Sequence, residues 1–472
     1  VPEQETIDEF RLSQERTEFR MSKDPFIYAQ VLQNFRTMYE SMFFPMSASS
    51  LTNQGGVPSN IMIGLPLLME VPGVAWMAIV EADLKDYTTM YLTNPSGTWT
   101  GHYFETILSP DIDYPDMAVS GSLPRHSAWR IMLIGDHPGR FIESNVIWNV
   151  TPPSVIEDKS WIHAGKASWN WWSGSIGPEG VRDSSMETMK YYVDFAAESG
   201  FEYTLLEGRF NVPEIVQYAT SKDVGIWIWL HGRVANQRMN ELFPLYEEWG
   251  VTGVKIDFIE RDDQAGVEFY YRAAKKAAEH HLMLDFHGCK NPSGMNRTYP
   301  NILGYEAVLG MEQSKAGSQD NPCMHVMLPF TRMLYGQMDY TPGGFNNVTR
   351  ENFVARTIEP MVMGTRAHHL AMYVVYESPF QMVSDHPLNY KGHPSFSFIK
   401  DCPATWDETK VINGYPGEYI TMVRRNGNDW FLGSMTGRHA RKIEINLDFL
   451  KEGQYIAEIY ADAPDADRYP KN

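Results

Sequence analysis

The chain has 472 residues, of which 43% are hydrophobic and 21% charged, a composition that supports a large folded core and argues against wholesale disorder. Its 40 basic and 59 acidic residues give a net charge of −19, which argues against nucleic acid and anionic membranes as partners because both require a basic surface. Three cysteines, Cys289, Cys323 and Cys402, are too few for a disulfide framework and lack the spacing of a zinc site.

The length predicts two or three domains. The longest apolar stretch, residues 61–80, is interrupted by Pro66, Glu70 and Pro72, so no membrane insertion is expected. No signal peptide is recognisable at Val1, and the absence of an initial methionine predicts a processed or cut product.

Residues 1–155 are predicted to form a β-rich N-terminal domain. Turn signals at residues 53–56 and 94–97 separate short strand-like runs, one of which covers residues 75–80. We interpret this domain as a β-sandwich that is incomplete in the sequence given.

Between residues 156 and 390, strand and helix patterns alternate with short links. The predicted strands cover residues 167–172, 201–206, 225–230, 254–258 and 282–286. The predicted helices cover residues 186–199, 213–222, 236–249 and 265–280. This alternation indicates parallel strands with right-handed connections, and the length suits a (β/α)8 TIM barrel. A doubly wound sheet is the alternative, which the lack of a glycine-rich phosphate loop after the first strand disfavours.

Residues 391–472 return to a β pattern. Residues 419–424 and 430–433 flank the turn Asn426-Gly427-Asn428, which is a hairpin signal. Residues 442–447 alternate with period two, as a strand does. We predict a C-terminal antiparallel β domain, also incomplete, which makes the whole chain a multidomain α/β protein.

Catalytic residues of a barrel lie at the carboxyl ends of its strands. Lys255 and Asp257 end the predicted fourth strand and point to the same inward side, about 7 Å apart. A charged pair is costly to bury there unless it is used or paired, so the alternative to a catalytic role is a buried salt bridge. Glu306 and Glu312 follow the fifth strand as candidates for acid/base or metal duty, or else as part of a solvated loop.

Histidines near three strands raise the possibility of a metal hydrolase. His163, His231 and His287 lie at or near the first, third and fifth predicted strands. However, no His-x-His pair ends the first strand and no His-Glu-x-x-His helix is present, so this reading is disfavoured.

Specific motifs are spread along the chain, at residues 80–84, 253–258, 261–264, 286–288, 292–294, 297–301, 328–333, 339–345 and 405–409. Together they resemble glycoside hydrolase family 97 over nearly the whole chain. The resemblance implies an N-terminal β-sandwich, a catalytic (β/α)8 barrel and a C-terminal β domain. It also implies an α-glycosidase of carbohydrate metabolism that depends on calcium, in the periplasm or at the cell surface of Bacteroidetes-type bacteria.

The resemblance further implies a mechanism. Inverting members carry a glutamate base directly after the strand-five histidine and lack the strand-four aspartate. Gly288 and Asp257 occupy these two positions, which implies the retaining branch, similar to α-galactosidases. In that branch Asp257 would be the nucleophile, favoured in its ionised form by Lys255, and Glu312 the general acid/base.

The same resemblance implies the remaining site residues. The implied calcium ligands are Glu81, Glu306 and Glu312, and the implied sugar contacts are Lys255, His231 and His287. Neither Glu81 nor Glu306 lies in a basic run, and carboxylates brought together repel unless a cation lies between them. We therefore expect calcium to link the first domain to the barrel; the alternative is that Glu81 is a surface residue on an edge strand.

The expected substrate is a small oligosaccharide or galactoside, and the sequence does not indicate an oligomeric state. Three alternative functions remain open. They are a β-L-arabinopyranosidase, an inverting α-glucosidase of the same family, and a non-catalytic sugar-binding barrel.

Overall fold

The computed structural model describes residues 8–51, 62–93 and 103–471. The turn signals predicted at residues 53–56 and 94–97 lie outside the described residues. No helix within the described ranges is long and apolar enough to cross a membrane.

Two five-stranded sheets form the N-terminal domain. In spatial order the first contains Glu18–Arg20, Tyr103–Leu108, Met90–Thr93, Met62–Ile63 and Val31–Leu32. The second contains Trp129–Gly135, Ala75–Ala82, Leu67–Val71, Phe26–Ala29 and Phe44–Ser47. A separate pair joins Glu9–Leu12 to Val119–Ser122. Apolar side chains of both large sheets share one core, as a β-sandwich requires.

Seven parallel strands form the barrel wall. In spatial order they are Ile302–Tyr305, Met283–Phe286, Gly253–Asp257, Gly225–His231, Tyr203–Leu206, Gly165–Trp169 and Phe380–Val383. An extended segment fills the eighth position, because Asp339 N donates to Tyr305 O at 2.9 Å and Ser384 N donates to Pro342 O at 3.2 Å. The barrel prediction is confirmed, with one wall position lacking regular strand pairing.

The long helices cover the outside of the barrel. They are Met186–Ser199, Val212–Thr220, Gly232–Trp249, Gln264–Glu279 and Arg366–Val375. Short helices are Gly139–Ile142, Val146–Asn149, Met295–Thr298, Pro322–His325, Pro387–Tyr390 and Phe396–Asp401. The first long helix ends at Gly200, whose φ of 74° is the left-handed C-cap expected from the sequence.

Among the differences from the predicted element boundaries, two have clear local reasons. The first barrel strand ends at Trp169, because the next residue, Asn170, is held by its side chain against the backbone of Glu207. Its Nδ2 donates to Glu207 O and its Oδ1 accepts from Glu207 N, both at 2.9 Å. The helix predicted from residue 236 begins at Gly232, because His231 Nδ1 caps it by accepting from Arg233 N at 3.1 Å.

A three-stranded antiparallel sheet ends the fold. Glu408–Tyr415, Tyr419–Asn426 and Asp429–Thr436 pair in that order, which confirms the predicted hairpin. The strand expected at residues 442–447 is not formed. The chain leaves the sheet after Thr436, and residues 442–447 are largely exposed with no neighbouring strand to pair with in the described structure.

Candidate active site

Asp257 ends its strand with both carboxylate oxygens hydrogen-bonded. Oδ2 accepts from Trp229 Nε1 at 2.9 Å and Oδ1 accepts from Phe258 N at 2.7 Å. Phe258 has a φ of 57°, a left-handed conformation that bulky residues rarely adopt. This sharp turn aims the Phe258 N–H at the carboxylate, so the backbone and Trp229 together fix the orientation of Asp257.

Gly288 lies against Asp257, and its position excludes a side chain. A Cβ at residue 288 would lie 2.8 Å from Phe258 N and 3.1 Å from Asp257 Oδ1. Its φ of 50° is also unfavourable for other residues. With Asp257 and the Phe258 turn in place, a glutamate base at position 288 would collide with the backbone.

Glu312 lies on the 3-10 helix Met311–Lys315, with its Oε2 3.6 Å from His287 Nδ1. Burial raises the pKa of Glu312 to about 8, and the charges of Glu306 and Asp257 act in the same direction, against Lys255 and His287. The raised pKa favours the protonated form of Glu312, which a general acid needs.

His287 is buried and connects several carboxyl groups. Its Nε2 lies 2.6 Å from Asp339 Oδ2 and its Nδ1 lies 3.2 Å from Glu306 Oε2. Burial alone would lower the pKa of His287, but Glu306, Asp285 and Asp339 raise it well above the usual value. Because carboxylates occupy both ring nitrogens, the geometry favours an imidazolium that joins acidic residues over the predicted sugar contact.

Lys255 and His231 lie near Asp257 on the same and the neighbouring strand. Lys255 is 1% exposed, its Nζ lies 4.2 Å from the centre of the Trp169 ring, and it has no hydrogen-bond partner within the described structure. An ammonium group without partners is a donor that sugar hydroxyls can satisfy. His231 pairs in register with Asp257 and its ring stacks on Phe258 at 5.5 Å. Both placements are compatible with the sugar-binding roles predicted for them.

The charges around Lys255 differ from those expected. Burial alone would lower its pKa, but neighbouring carboxyl groups raise it above the usual value, in the order Glu312, Asp339, Glu207 and Asp285. Among the carboxyl groups, Glu312 has the largest effect on the pKa of Lys255, whereas the sequence had suggested Asp257 as the charged neighbour.

The structure does not bring Glu81 to the site, contrary to the calcium ligand prediction. Its Oε2 accepts from Arg130 at 2.8 Å and from Met90 N at 3.0 Å. Arg130 on the neighbouring strand thus supplies a positive charge that no basic run near Glu81 had indicated. The surface alternative is wrong as well, because Glu81 is 2% exposed on an inner strand. Among the described residues, two groups bring possible metal-ligand atoms close together: Asp257, His287 and Glu306, and Asp285, His287 and Asp339.

Glu40 is the sandwich carboxylate that does reach the pocket. Its Oε2 accepts from Gln313 Nε2 at 2.6 Å. Burial raises the pKa of Glu40 to about 9, with Glu306 and Glu312 the next largest causes. Sequence reasoning missed Glu40 because it lies in an irregular loop of another domain, where no local pattern marks it.

Glu207 was also missed, although a signal was present. It follows the second barrel strand directly, and its carboxylate accepts from Trp169 Nε1 at 2.9 Å. Burial raises the pKa of Glu207, and the charge of Lys255 opposes the shift. The rule that chemistry lies at strand ends would have identified this residue.

Comparison with known proteins identifies the chain. Family models described as glycosyl-hydrolase 97 N-terminal, glycoside hydrolase 97, and glycosyl-hydrolase 97 C-terminal, oligomerisation match residues 1–153, 207–308 and 405–472. A retaining α-galactosidase of Bacteroides thetaiotaomicron is 36% identical over 471 residues, spanning 91% of this chain and 70% of that protein. The chain belongs to glycoside hydrolase family 97. The predicted family and the prediction of a glycoside hydrolase are confirmed.

Two solved structures, one of them named as a family 97 enzyme, have the same architecture. An enzyme from Pseudoalteromonas sp. strain K8 in complex with acarbose superposes with a TM-score of 0.85 at 28% identity, over 96% of this chain and 75% of that one. A β-arabinopyranosidase gives a TM-score of 0.79 at 25% identity, over 92% and 73%. The predicted TIM barrel between two β domains is thus the fold of the family.

Proposed function

We propose that this family 97 enzyme is a retaining, exo-acting α-galactosidase that forms a glycosyl-aspartate intermediate. The observation that carries the proposal is the exclusion of a side chain at Gly288 by Asp257 and Phe258. An inverting enzyme needs a second carboxylate to activate water, and position 288 has no room for one. The similarity to a retaining α-galactosidase supports the same assignment.

In the first step, one Asp257 oxygen attacks the anomeric carbon as the bond to the leaving oxygen breaks. The electron pair of that bond passes to the leaving oxygen, which takes the proton of Glu312. Trp229 and Phe258 hold the attacking carboxylate in place.

In the second step, water attacks the anomeric carbon and gives a proton to Glu312. The bond to Asp257 breaks and its electrons restore the carboxylate. Lys255, buried and without a partner in the described structure, would bind sugar hydroxyls in both steps.

A β-L-arabinopyranosidase is the second candidate, favoured by the structural similarity to an enzyme of that name. The two sugars have the same ring configuration and differ in the substituent at C5, so the same residues could act on either. Gly288 disfavours the inverting α-glucosidase, and the presence of both Asp257 and Glu312 disfavours a non-catalytic sugar-binding barrel.

Hydrolysis of 4-nitrophenyl glycosides tests the assignment. We expect kcat/KM for the α-galactoside to exceed that for the β-L-arabinopyranoside and the α-glucoside by at least about ten-fold, equivalent to roughly 1.4 kcal/mol of transition-state binding. Proton NMR of the first product should show α-galactose before mutarotation. Initial β-galactose would contradict the retaining mechanism, and preferred cleavage of the pentoside would favour the second candidate.

We also propose that the pocket holds calcium, with Glu40 and Glu306 as ligands and Glu312 beside the ion. The residues fit, because Glu40 accepts a hydrogen bond from Gln313, the neighbour of Glu312 in the chain, and His287 Nδ1 lies 3.2 Å from Glu306 Oε2 and 3.6 Å from Glu312 Oε2. A hard divalent cation with oxygen ligands relieves repulsion between carboxylates and would supply positive charge beside the acid/base. Calcium would then join the sandwich to the barrel through Glu40 in place of Glu81.

Calcium removal should lower both activity and melting temperature. A ligand present at 100 times its Kd stabilises the folded state by about 2.7 kcal/mol, which chelation would remove. Glu40→Gln should weaken calcium binding at least about ten-fold by isothermal titration calorimetry, whereas Glu9→Gln, the same change at an exposed residue of the same domain, should not. Equal affinity in Glu40→Gln and the unmodified enzyme would contradict this ligand.

The periplasmic or cell-surface location of the enzyme stays a prediction.

A further inference from the structure

We infer that Asp262 acts through Tyr39 as a positioning residue that sets the Glu40 carboxylate in the catalytic pocket. Asp262 belongs to the barrel loop that follows the nucleophile, whereas Tyr39 and Glu40 belong to the sandwich. The inference rests on the proposed calcium site, in which Glu40 is a ligand.

The Asp262 carboxylate is a buried acceptor for hydroxyl groups of the sandwich. Its Oδ2 accepts from Tyr39 at 2.5 Å and also from Tyr91, and its Oδ1 accepts from Ser109 Oγ at 2.9 Å. Its backbone oxygen accepts from Thr89 N at 3.1 Å. A carboxylate 2% exposed would be costly to bury without such donors, so these contacts fix Tyr39 relative to the barrel.

The backbone around Glu40 is held as firmly. Tyr39 has a φ of 60°, which is rare for an aromatic residue and persists only when its surroundings impose it. The side chain of Gln30, 1% exposed, donates from Nε2 to Tyr39 O at 2.7 Å and to Ser41 O at 3.0 Å. The carbonyl groups of Tyr39 and Ser41, on either side of Glu40, are thus held by the one amide of Gln30. The Tyr39 ring and the Glu40 side chain therefore extend from the same constrained backbone segment.

The barrel end of this connection is fixed beside the nucleophile. Ile259 N and Glu260 N both donate to Gly288 O, at 3.0 Å and 2.8 Å, and Gly288 N donates to Glu306 Oε2 at 2.7 Å. The loop that carries Asp262 is therefore tied to the residue that holds Glu306. Through Tyr39 the same loop determines where Glu40 stands relative to Glu306.

A purely structural role for Asp262 would make different predictions. Tyr39 and Tyr91 each place a buried hydroxyl on the same Asp262 oxygen, but only Tyr39 adjoins Glu40. Tyr91→Phe is therefore a matched control for Tyr39→Phe. If the cluster only joins two domains, both substitutions should lower the melting temperature and neither should alter calcium binding selectively.

The test uses the full chain and calcium itself, measured by isothermal titration calorimetry and by KM and kcat at saturating and limiting calcium. We expect Tyr39→Phe to weaken calcium binding about ten-fold, a change of about 1.4 kcal/mol, and Tyr91→Phe to stay within about two-fold of the unmodified enzyme. The kcat of Tyr39→Phe should recover at saturating calcium. Gln30→Met, which removes the amide clamp, should weaken calcium binding as Tyr39→Phe does.

The outcomes separate this inference from the calcium proposal. If Glu40→Gln loses calcium affinity but Tyr39→Phe and Gln30→Met do not, the positioning role is wrong and the ligand stands. An equal loss in Tyr39→Phe and Tyr91→Phe would also overturn the positioning role. If Glu40→Gln binds calcium normally, the ligand assignment fails, and the inference fails with it.

Discussion

Asp257→Gly is expected to reduce turnover of aryl α-galactosides by a factor on the order of 10⁴ to 10⁶, because it removes the nucleophile of a two-step reaction. Trp229 and Phe258, the donors that orient the carboxylate, would remain and would line the space that it leaves. A small anion can enter that space and attack the anomeric carbon directly. Added azide should therefore restore activity and yield a galactosyl azide of inverted, β configuration.

Asp257→Asn is the matched control. It lacks a nucleophilic carboxylate but retains the shape of the side chain, so azide should find no room and give no rescue. The measurements are the initial rate with and without azide for both variants and NMR of the azide product. A near-normal rate in Asp257→Gly, or a product of retained configuration, would contradict the assignment.

The strand-end residues were predictable from the sequence because they depend on local periodicity. In the strand that ends at Asp257, side chains alternate between the two faces, and this alternation predicted that Asp257 points into the barrel. The carboxyl ends of parallel strands also lie together at one end of a barrel. The same rule applies to Glu207, which was overlooked although it follows the second strand directly. The site predictions are therefore strongest where one strand determines the placement of a residue.

Placements that depend on contacts between domains could not be derived in this way. Glu40 reaches the pocket because Tyr39 is held by Asp262, a residue distant in sequence. Glu81 lies in a clear strand pattern, but its partner Arg130 is on the neighbouring strand, and only the register of the sheet pairs the two. Periodicity carries no information about such pairings.

The role of His287 shows a similar limit. Its place after the fifth strand was correctly identified, yet its partners Asp339 and Glu306 come from later segments that meet it only when the barrel closes.

The alternating pattern with period two at residues 442–447 did not produce a strand, because a strand also needs a neighbour with which to form hydrogen bonds.

Glu312→Gln should separate substrates according to their leaving groups. General acid catalysis contributes about 10² to 10⁴-fold when the leaving oxygen is basic, and little when it leaves readily as an anion. The kcat/KM for a galactosyl disaccharide should therefore fall by that factor, while the value for 2,4-dinitrophenyl α-galactoside changes far less. Because kcat/KM reports the first step in this mechanism, slower hydrolysis of the intermediate does not obscure the comparison.

Glu40→Gln, assayed with saturating calcium, is the control for this experiment. Like Glu312→Gln, this variant removes an acidic group from the pocket, near enough to Glu312 for the Glu312 charge to raise the pKa of Glu40. Unlike Glu312→Gln, it leaves the acid/base in place. The kcat/KM of Glu40→Gln should fall by a similar factor for all leaving groups, so a plot of log kcat/KM against leaving-group pKa should be flat. The same plot for Glu312→Gln should be steep. Parallel losses on both substrates in Glu312→Gln would show that Glu312 supports the pocket without donating the proton. The acid would then have to be sought among the other buried carboxyl groups, of which Glu207, beside Trp169, is the first to test.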